Sequence, residues 1–310
     1  MDRQKGTNIM GMLDNRVAIV TGAGRGIGSE VSKLFAANGA SVVVNDLGGA
    51  VDGSGAESGP ADETVAAIRD AGGNAVANYT SVADYDGAEG IVQQALDEYG
   101  RLDILVNVAG NLRDRMVFNM TEEEWDAVVA VHMKGTFNTT KYASIYWRAN
   151  REGHYRLINF TSGSGLHGAP GQPNYAAAKL GIVGFTYSCA NALGRYGVTS
   201  NAIGPGASTR MTDTVPEDRR RRPMDDSDNI VDMRRSPANV AVPLVFIASE
   251  ESDWLNGQVI RAMGYDIGLY SQYKLIRELS GTEMWTVERA AEEMDRVFRP
   301  AIEAGNVIGG

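Results

Sequence analysis

Short apolar runs alternate with amphipathic stretches along most of the chain. The runs at 16–20, 41–46, 75–79, 102–107, 156–161, 198–203 and 258–262 are rich in Val, Ile and Leu. Near-continuous apolar runs of this length predict strands buried on both faces of a parallel sheet. Between them the periodicity changes to that of helices, at 29–38, 61–71, 86–99, 174–196 and 237–248. Gly39 and Gly100 stand where two of these helices should stop. A Thr121-Glu-Glu-Glu124 capping box predicts the start of a long helix reaching Tyr146. Residues 47–60 are rich in Gly and Ser and predict a long flexible loop. Residues 207–233 are polar and irregular, the pattern of a mobile lid. No repeat or composition break interrupts the alternation, which predicts one doubly wound α/β domain. The expected layout is a flexible arm over 1–13 and a seven-stranded parallel sheet with helices on both faces over 14–265. A helical extension over 266–310 follows, its helix near 283–302.

Composition narrows the function. The chain has 310 residues, a net charge of −10, one cysteine and three histidines. A surplus of acid argues against a general grip on nucleic-acid phosphates. Cys189 alone builds no disulfide framework, and the scattered histidines give no metal pair at ligand spacing. Neither a signal-peptide core nor a membrane-length apolar run stands out, so a cytoplasmic protein is expected.

Chemistry-bearing residues fall at the predicted carboxyl ends of strands, where ligands sit in such sheets. After the first strand comes Thr21-Gly-Ala-Gly-Arg-Gly-Ile-Gly28. Gly22, Gly26 and Gly28 allow close approach of a pyrophosphate, Arg25 and Ile27 belong to the same cofactor-binding turn, and the N-terminus of the helix after it offers free N–H groups. Asp46 ends the second strand, where a carboxylate binds a ribose diol and repels a 2′-phosphate. Arg25 pulls toward the phosphate, so NAD is the first expectation and NADP the second. Ser81 and Val82 are placed to edge an adenine pocket. Asn107, Ala109 and Gly110 follow the fourth strand, small residues beside an amide able to tie strand ends together. Pro205 and Gly206 follow the sixth. Ser162 leaves the fifth strand, and Tyr175 and Lys179 lie one turn apart on the next helix. An ammonium beside a phenol favours the phenolate, so Tyr175 is expected to pass a proton to or from an alcohol oxygen. Ser162 is expected to donate to the same oxygen.

Over residues 16–265 these motifs resemble the short-chain dehydrogenase/reductase family, a Rossmann-type fold. The resemblance implies hydride transfer between a nicotinamide and an alcohol or ketone. Tyr175 would be the acid/base, Lys179 would hold the nicotinamide ribose, and Ser162 would orient substrate. Ile203 and Thr209 would flank the nicotinamide. One departure is His132, where the family usually has an Asn whose main-chain carbonyl holds a relay water. His132 is therefore a candidate catalytic residue, with simple packing as the other reading. Val44-Asn-Asp-Leu-Gly-Gly49, Leu112-Arg-Asp-Arg115 and Ser208-Thr-Arg-Met-Thr212 resemble one branch. That branch is the (3R)-hydroxyacyl-CoA dehydrogenase unit of multifunctional enzyme type 2 and its bacterial relatives. It implies bulky substrates, 3-hydroxyacyl-CoA thioesters or steroid and alicyclic alcohols, and a homodimer or homotetramer. Arg219, Arg220, Arg221 and Arg222 are either a grip on CoA phosphates or a solvated charge run. An NADPH-dependent ketone or acyl-carrier reductase and a non-catalytic nucleotide-binding scaffold are the alternatives.

Overall fold

The computed structural model describes residues 11–56, 58–207 and 233–304. Within them, strands β1 (Val17–Thr21), β2 (Ser41–Asn45), β3 (Asn74–Asn78), β4 (Ile104–Asn107), β5 (Tyr155–Phe160), β6 (Val198–Gly206), β7 (Val259–Met263) and β8 (Asp266–Leu269) form one sheet. Its order is β3-β2-β1-β4-β5-β6-β7-β8. The first seven strands pair in parallel as expected, and β8 adds an antiparallel edge. The expected seven-stranded sheet is thus an eight-stranded one. β8 was missed because it is short and exposed, with no buried face to set its period.

Alternation across the sheet builds two cores. Ala18, Val20, Val42, Val44, Ile104, Val106, Ile158 and Phe160 face one way. They pack on helices α1 (Gly26–Ala37) and α2 (Gly59–Asp70), and on a third, α8 (Ala238–Ala248), through Val31, Phe35, Ile68 and Leu244. Val17, Ile19, Val43, Leu105 and Leu157 face the other way. There they meet α3 (Gly87–Tyr99) and α5 (Gly135–Ala149) through Ile91, Ala95 and Trp147. Both faces being covered, the strands carry the unbroken apolar runs seen in the sequence.

The chain winds outward through β1, β2 and β3, then returns to pair β4 with the other side of β1. The reversal opens a crevice at the carboxyl ends of β1 and β4, the place for a ligand in such a sheet. The capping box forms, with Thr121 accepting from the Glu124 amide and starting α4 (Glu122–Val129). The single long helix expected there is interrupted by a π-helical turn over Ala130–Lys134 before α5 begins. An extra residue per turn leaves no signature in apolar spacing this short.

Leu13 is fully buried, and its amide donates to the Asn38 carbonyl at 2.9 Å. Leu13, the last residue of the expected arm, is thus packed into the main unit. At the other end, residues up to Tyr270 belong to the main unit because β8 pairs with β7. The second unit, Ser271–Gly310, contains α9 (Val287–Glu303), whose first turn is capped by Thr286.

Candidate active site

β5 delivers the site. At its end Ser162 takes an extended conformation and caps a short helix, α6 (Gly163–His167), its hydroxyl accepting from the Ser164 amide at 3.2 Å. α7 (Pro173–Leu193) begins with Pro at its first turn, where a missing N–H costs nothing. Asn174 fixes that start. Fully buried, it donates to the carbonyls of Arg113 (2.9 Å) and Glu124 (3.0 Å) and accepts from the Tyr175 amide at 2.7 Å. This amide was not singled out from sequence, although an Asn just before a candidate Tyr is a legible signal.

The structure brings Ser162, Tyr175 and Lys179 together. The Ser162 hydroxyl lies near enough to the Tyr175 phenol to pull its pKa downward. Lys179 lies one turn below, its Nζ 5.7 Å from the Tyr175 ring centroid and donating to the Phe160 carbonyl at 2.8 Å. Burial pushes the Lys179 ammonium down to about 7. Tyr175 goes the opposite way from the expectation. Burial holds the phenol above its ordinary value, the Ser162 hydroxyl opposes this, and Asp114 adds to the rise. Lys179 does not offset the rise, because burial strips its own proton near 7, before the phenol would ionise. Asp114, held by Gln172 at 2.8 Å, was also missed.

The glycine turn reaches the same crevice. Gly22 and Gly26 both have positive φ, 64° and 56°. A Cβ on Gly22 would fall 2.7 Å from the Ala109 Cα, so the turn presses directly on the corner after β4. Thr21 closes that joint, its hydroxyl accepting from the Val108 and Ala109 amides at 3.2 Å each. Arg25 is exposed and gives no side-chain cap to α1, leaving the N–H groups at Gly26, Ile27 and Gly28 facing an open end. Asp46 accepts from the Gly24 amide (2.7 Å) and the Gly48 amide (2.6 Å). Its carboxylate is thereby fixed beside the turn. Gly24 has to be small there, because a Cβ would lie 2.9 Å from that carboxylate. An uncapped helix end, a cradle that a single Cβ would fill, and a fixed acid together suit a dinucleotide.

Asn107 ties strand ends together, as its type implied. It donates to Asn159 at 2.9 Å and accepts from Thr139 at 2.8 Å. Val82 is buried under Gly135, and its carbonyl accepts from Asn138 at 2.9 Å, while Ser81 is half-buried beside it. Pro205 and Gly206 extend β6 along β7, three residues further than the sequence indicated. Pairing with β5 ends at Ile203, so the N–H that Pro205 lacks needs no partner there. Thr209 and the four arginines from Arg219 to Arg222 lie outside the described residues.

A family profile described as short chain dehydrogenase matches residues 16–220. The chain belongs to the short-chain dehydrogenase family, and is an oxidoreductase acting on CH–OH groups with a nicotinamide cofactor. It is 43% identical over 274 residues to a hydroxyacyl-CoA dehydrogenase of Mycobacterium tuberculosis, covering 86% of this chain and 83% of that one. It is 46% identical over 207 residues to the peroxisomal multifunctional enzyme type 2 of Mus musculus, covering 66% of this chain and only 27% of the mouse protein. A crystal structure of a short chain dehydrogenase from Mycobacterium avium superposes with a TM-score of 0.81 at 40% identity, covering 93% of this chain and 96% of the other. Among the described residues no helix is long and apolar enough to cross a membrane.

Proposed function

We propose that this chain is an NAD-dependent dehydrogenase of bulky secondary alcohols, with 3-hydroxyacyl-CoA thioesters as the leading substrate class. Steroid or alicyclic alcohols come next. The observation that carries the reading is the convergence of the Ser162 hydroxyl on the Tyr175 phenol, with buried Lys179 one turn beneath it. The substrate class rests on the likeness to a hydroxyacyl-CoA dehydrogenase over most of both chains.

The bound nicotinamide would supply the hydride donor or acceptor. Gly22, Arg25, Gly26, Ile27 and Gly28 would hold its pyrophosphate, and Asp46 its adenosine ribose. Ser81 and Val82 would border the adenine, and Asn107, Ala109 and Gly110 the middle of the cofactor. Tyr175, Lys179, Pro205 and Gly206 would surround its far end, with Thr209 in the following segment. Ser162 donates to the substrate oxygen and Tyr175 exchanges its proton. A phenol held protonated by burial is ready to protonate a ketone. Running the reaction toward oxidation needs the phenolate. Turning the Lys179 ammonium from the Phe160 carbonyl toward the phenol would favour it.

Asp46 carries the preference for NAD. A 2′-phosphate would meet a carboxylate already fixed by two backbone amides. The exposed apolar side chains Trp125, Phe137, Ile145 and Leu180 on α4, α5 and α7 support a homodimer or homotetramer through these helices. The test is cofactor reduction with a 3-hydroxyacyl-CoA, a steroid alcohol and a small secondary alcohol, each with NAD and with NADP. Turnover of the thioester with NAD is expected, and Asp46→Ala should narrow the gap between cofactors by about tenfold or more. A preference for NADP in the native chain would replace this reading with the reductase one.

A further inference from the structure

His132 stands where the corner after β4 meets the catalytic tyrosine. Its ring is fully buried on the π-helical turn. Nε2 lies 2.8 Å from the Asn111 carbonyl and 3.1 Å from the Asn111 amide. The ring edge meets Tyr175, with centroids 5.1 Å apart and planes at 84°. On its other side the imidazole occupies the space a side chain at Gly110 would need. A Cβ built there would run into Cε1 and lie 3.0 Å from each ring nitrogen. Nδ1 is buried with no hydrogen-bond partner among the described residues.

We propose that the His132 imidazole is a positioning residue, a wedge that seats in the space left by Gly110 and locks the Gly110–Asn111 corner to the edge of Tyr175. The proposal rests on the dehydrogenase reading, in which that corner borders the cofactor. Nε2 faces both polar groups of Asn111: with hydrogen it donates to the carbonyl, and without hydrogen it accepts from the amide, so either neutral tautomer is held at the same residue. A second proton would add a buried charge near Lys179, and burial first, then Lys179, holds the imidazole well below its ordinary value. His132 is therefore a neutral spacer. An Asn here is too short to span from the Asn111 carbonyl to the tyrosine ring.

The experiment compares His132→Ala, His132→Asn, Gly110→Ala and the pair Gly110→Ala with His132→Ala. Its readouts are NADH affinity by fluorescence, kcat, KM, melting temperature, and the 15N spectrum of the native imidazole. The native ring should stay neutral between about pH 5 and 8. His132→Ala and Gly110→Ala should each weaken NADH binding and lower kcat by about tenfold. His132→Asn should recover neither in full. The double variant should be no worse than the poorer single, because both changes empty or block the same space. Additive losses, a ring that gains a second proton in that range, or a fall in melting temperature with kcat and NADH affinity untouched would overturn the wedge. A protein that oxidises no alcohol, yet keeps the neutral ring and the non-additive NADH affinities, would sink the dehydrogenase reading and leave the wedge standing.

Discussion

Strand β5 begins and ends at a buried cation, and the two are treated differently. Arg156, near its start, is fully buried and donates along every edge of its guanidinium. Nε reaches the Ser249 carbonyl (2.9 Å) and the Ser252 hydroxyl (3.2 Å). Nη1 reaches the Tyr155 carbonyl (2.9 Å), and Nη2 reaches Asp253 (2.5 Å) and the Glu250 carbonyl (3.3 Å). Lys179, at the far end, has one acceptor among the described residues, the Phe160 carbonyl. An ammonium has three donors. Burial lowers both cations, but Asp253 and Glu250 offset it for Arg156, whereas among the described residues no opposing charge does so for Lys179. Saturated donors make a joint. An amine with fewer partners beside a phenol has donors to offer a substrate or cofactor.

The largest effect should come from Lys179→Met. Turnover should fall by about 10²–10⁴, the usual reach of a proton-transfer group. Stability should move the other way. Burial takes Lys179 from 10.5 to about 7. Between those values the unfolded chain holds a proton that the folded chain lacks, so native stability rises with pH across this window. Methionine removes that dependence. The variant should therefore melt higher than the native chain, most clearly at or below pH 7, with the gain shrinking toward alkaline pH. Melting curves at several pH values measure it, and a variant that melts lower at every pH contradicts the picture of an under-satisfied amine.

Arg156→Met should do the reverse. It sits far from the crevice, so activity below the melting transition should stay near native. It strands several acceptors, so stability should fall by about 3 kcal/mol. Denaturant unfolding read beside turnover decides this. A large loss of turnover in the folded variant would show that the two ends of β5 are not independent.

What the sequence made legible was local. The Tyr175–Lys179 spacing, the glycine turn, the Thr121 capping box and the strand runs each depend on neighbours a few residues apart. What it hid depends on distant packing. The rise of Tyr175 comes from burial and from Asp114 on another loop, and no spacing rule shows which way an amine will turn. The Gly110–His132 fit joins residues 22 apart in sequence numbering only through the fold. The π-helical turn and β8 were invisible because one extra residue, or one short exposed strand, leaves too little periodicity to read. Asp46 was legible as an acid at a strand end, but its grip on the Gly24 amide was not.

The smallest effect tests how much of the Arg156 joint is structural ornament. His154 pairs with the second carboxylate oxygen of Asp253 at 2.8 Å, with both side chains about half exposed. Asp253 is desolvated, which would raise it, yet Arg156 and His154 hold it below its ordinary value. Its contribution is present above the ordinary carboxylate range and is lost as pH falls through the lowered one. The buried Arg156 supplies the larger share of that hold. His154→Ala should therefore change stability by no more than about 1 kcal/mol, as exposed pairs do. It should also leave turnover unchanged and keep most of the acid-side loss seen in the native chain. If unfolding measured from neutral to acid pH instead loses that step completely, the carboxylate is held by the surface imidazole. Arg156 would then be stabilised by its carbonyl partners and the Ser252 hydroxyl alone.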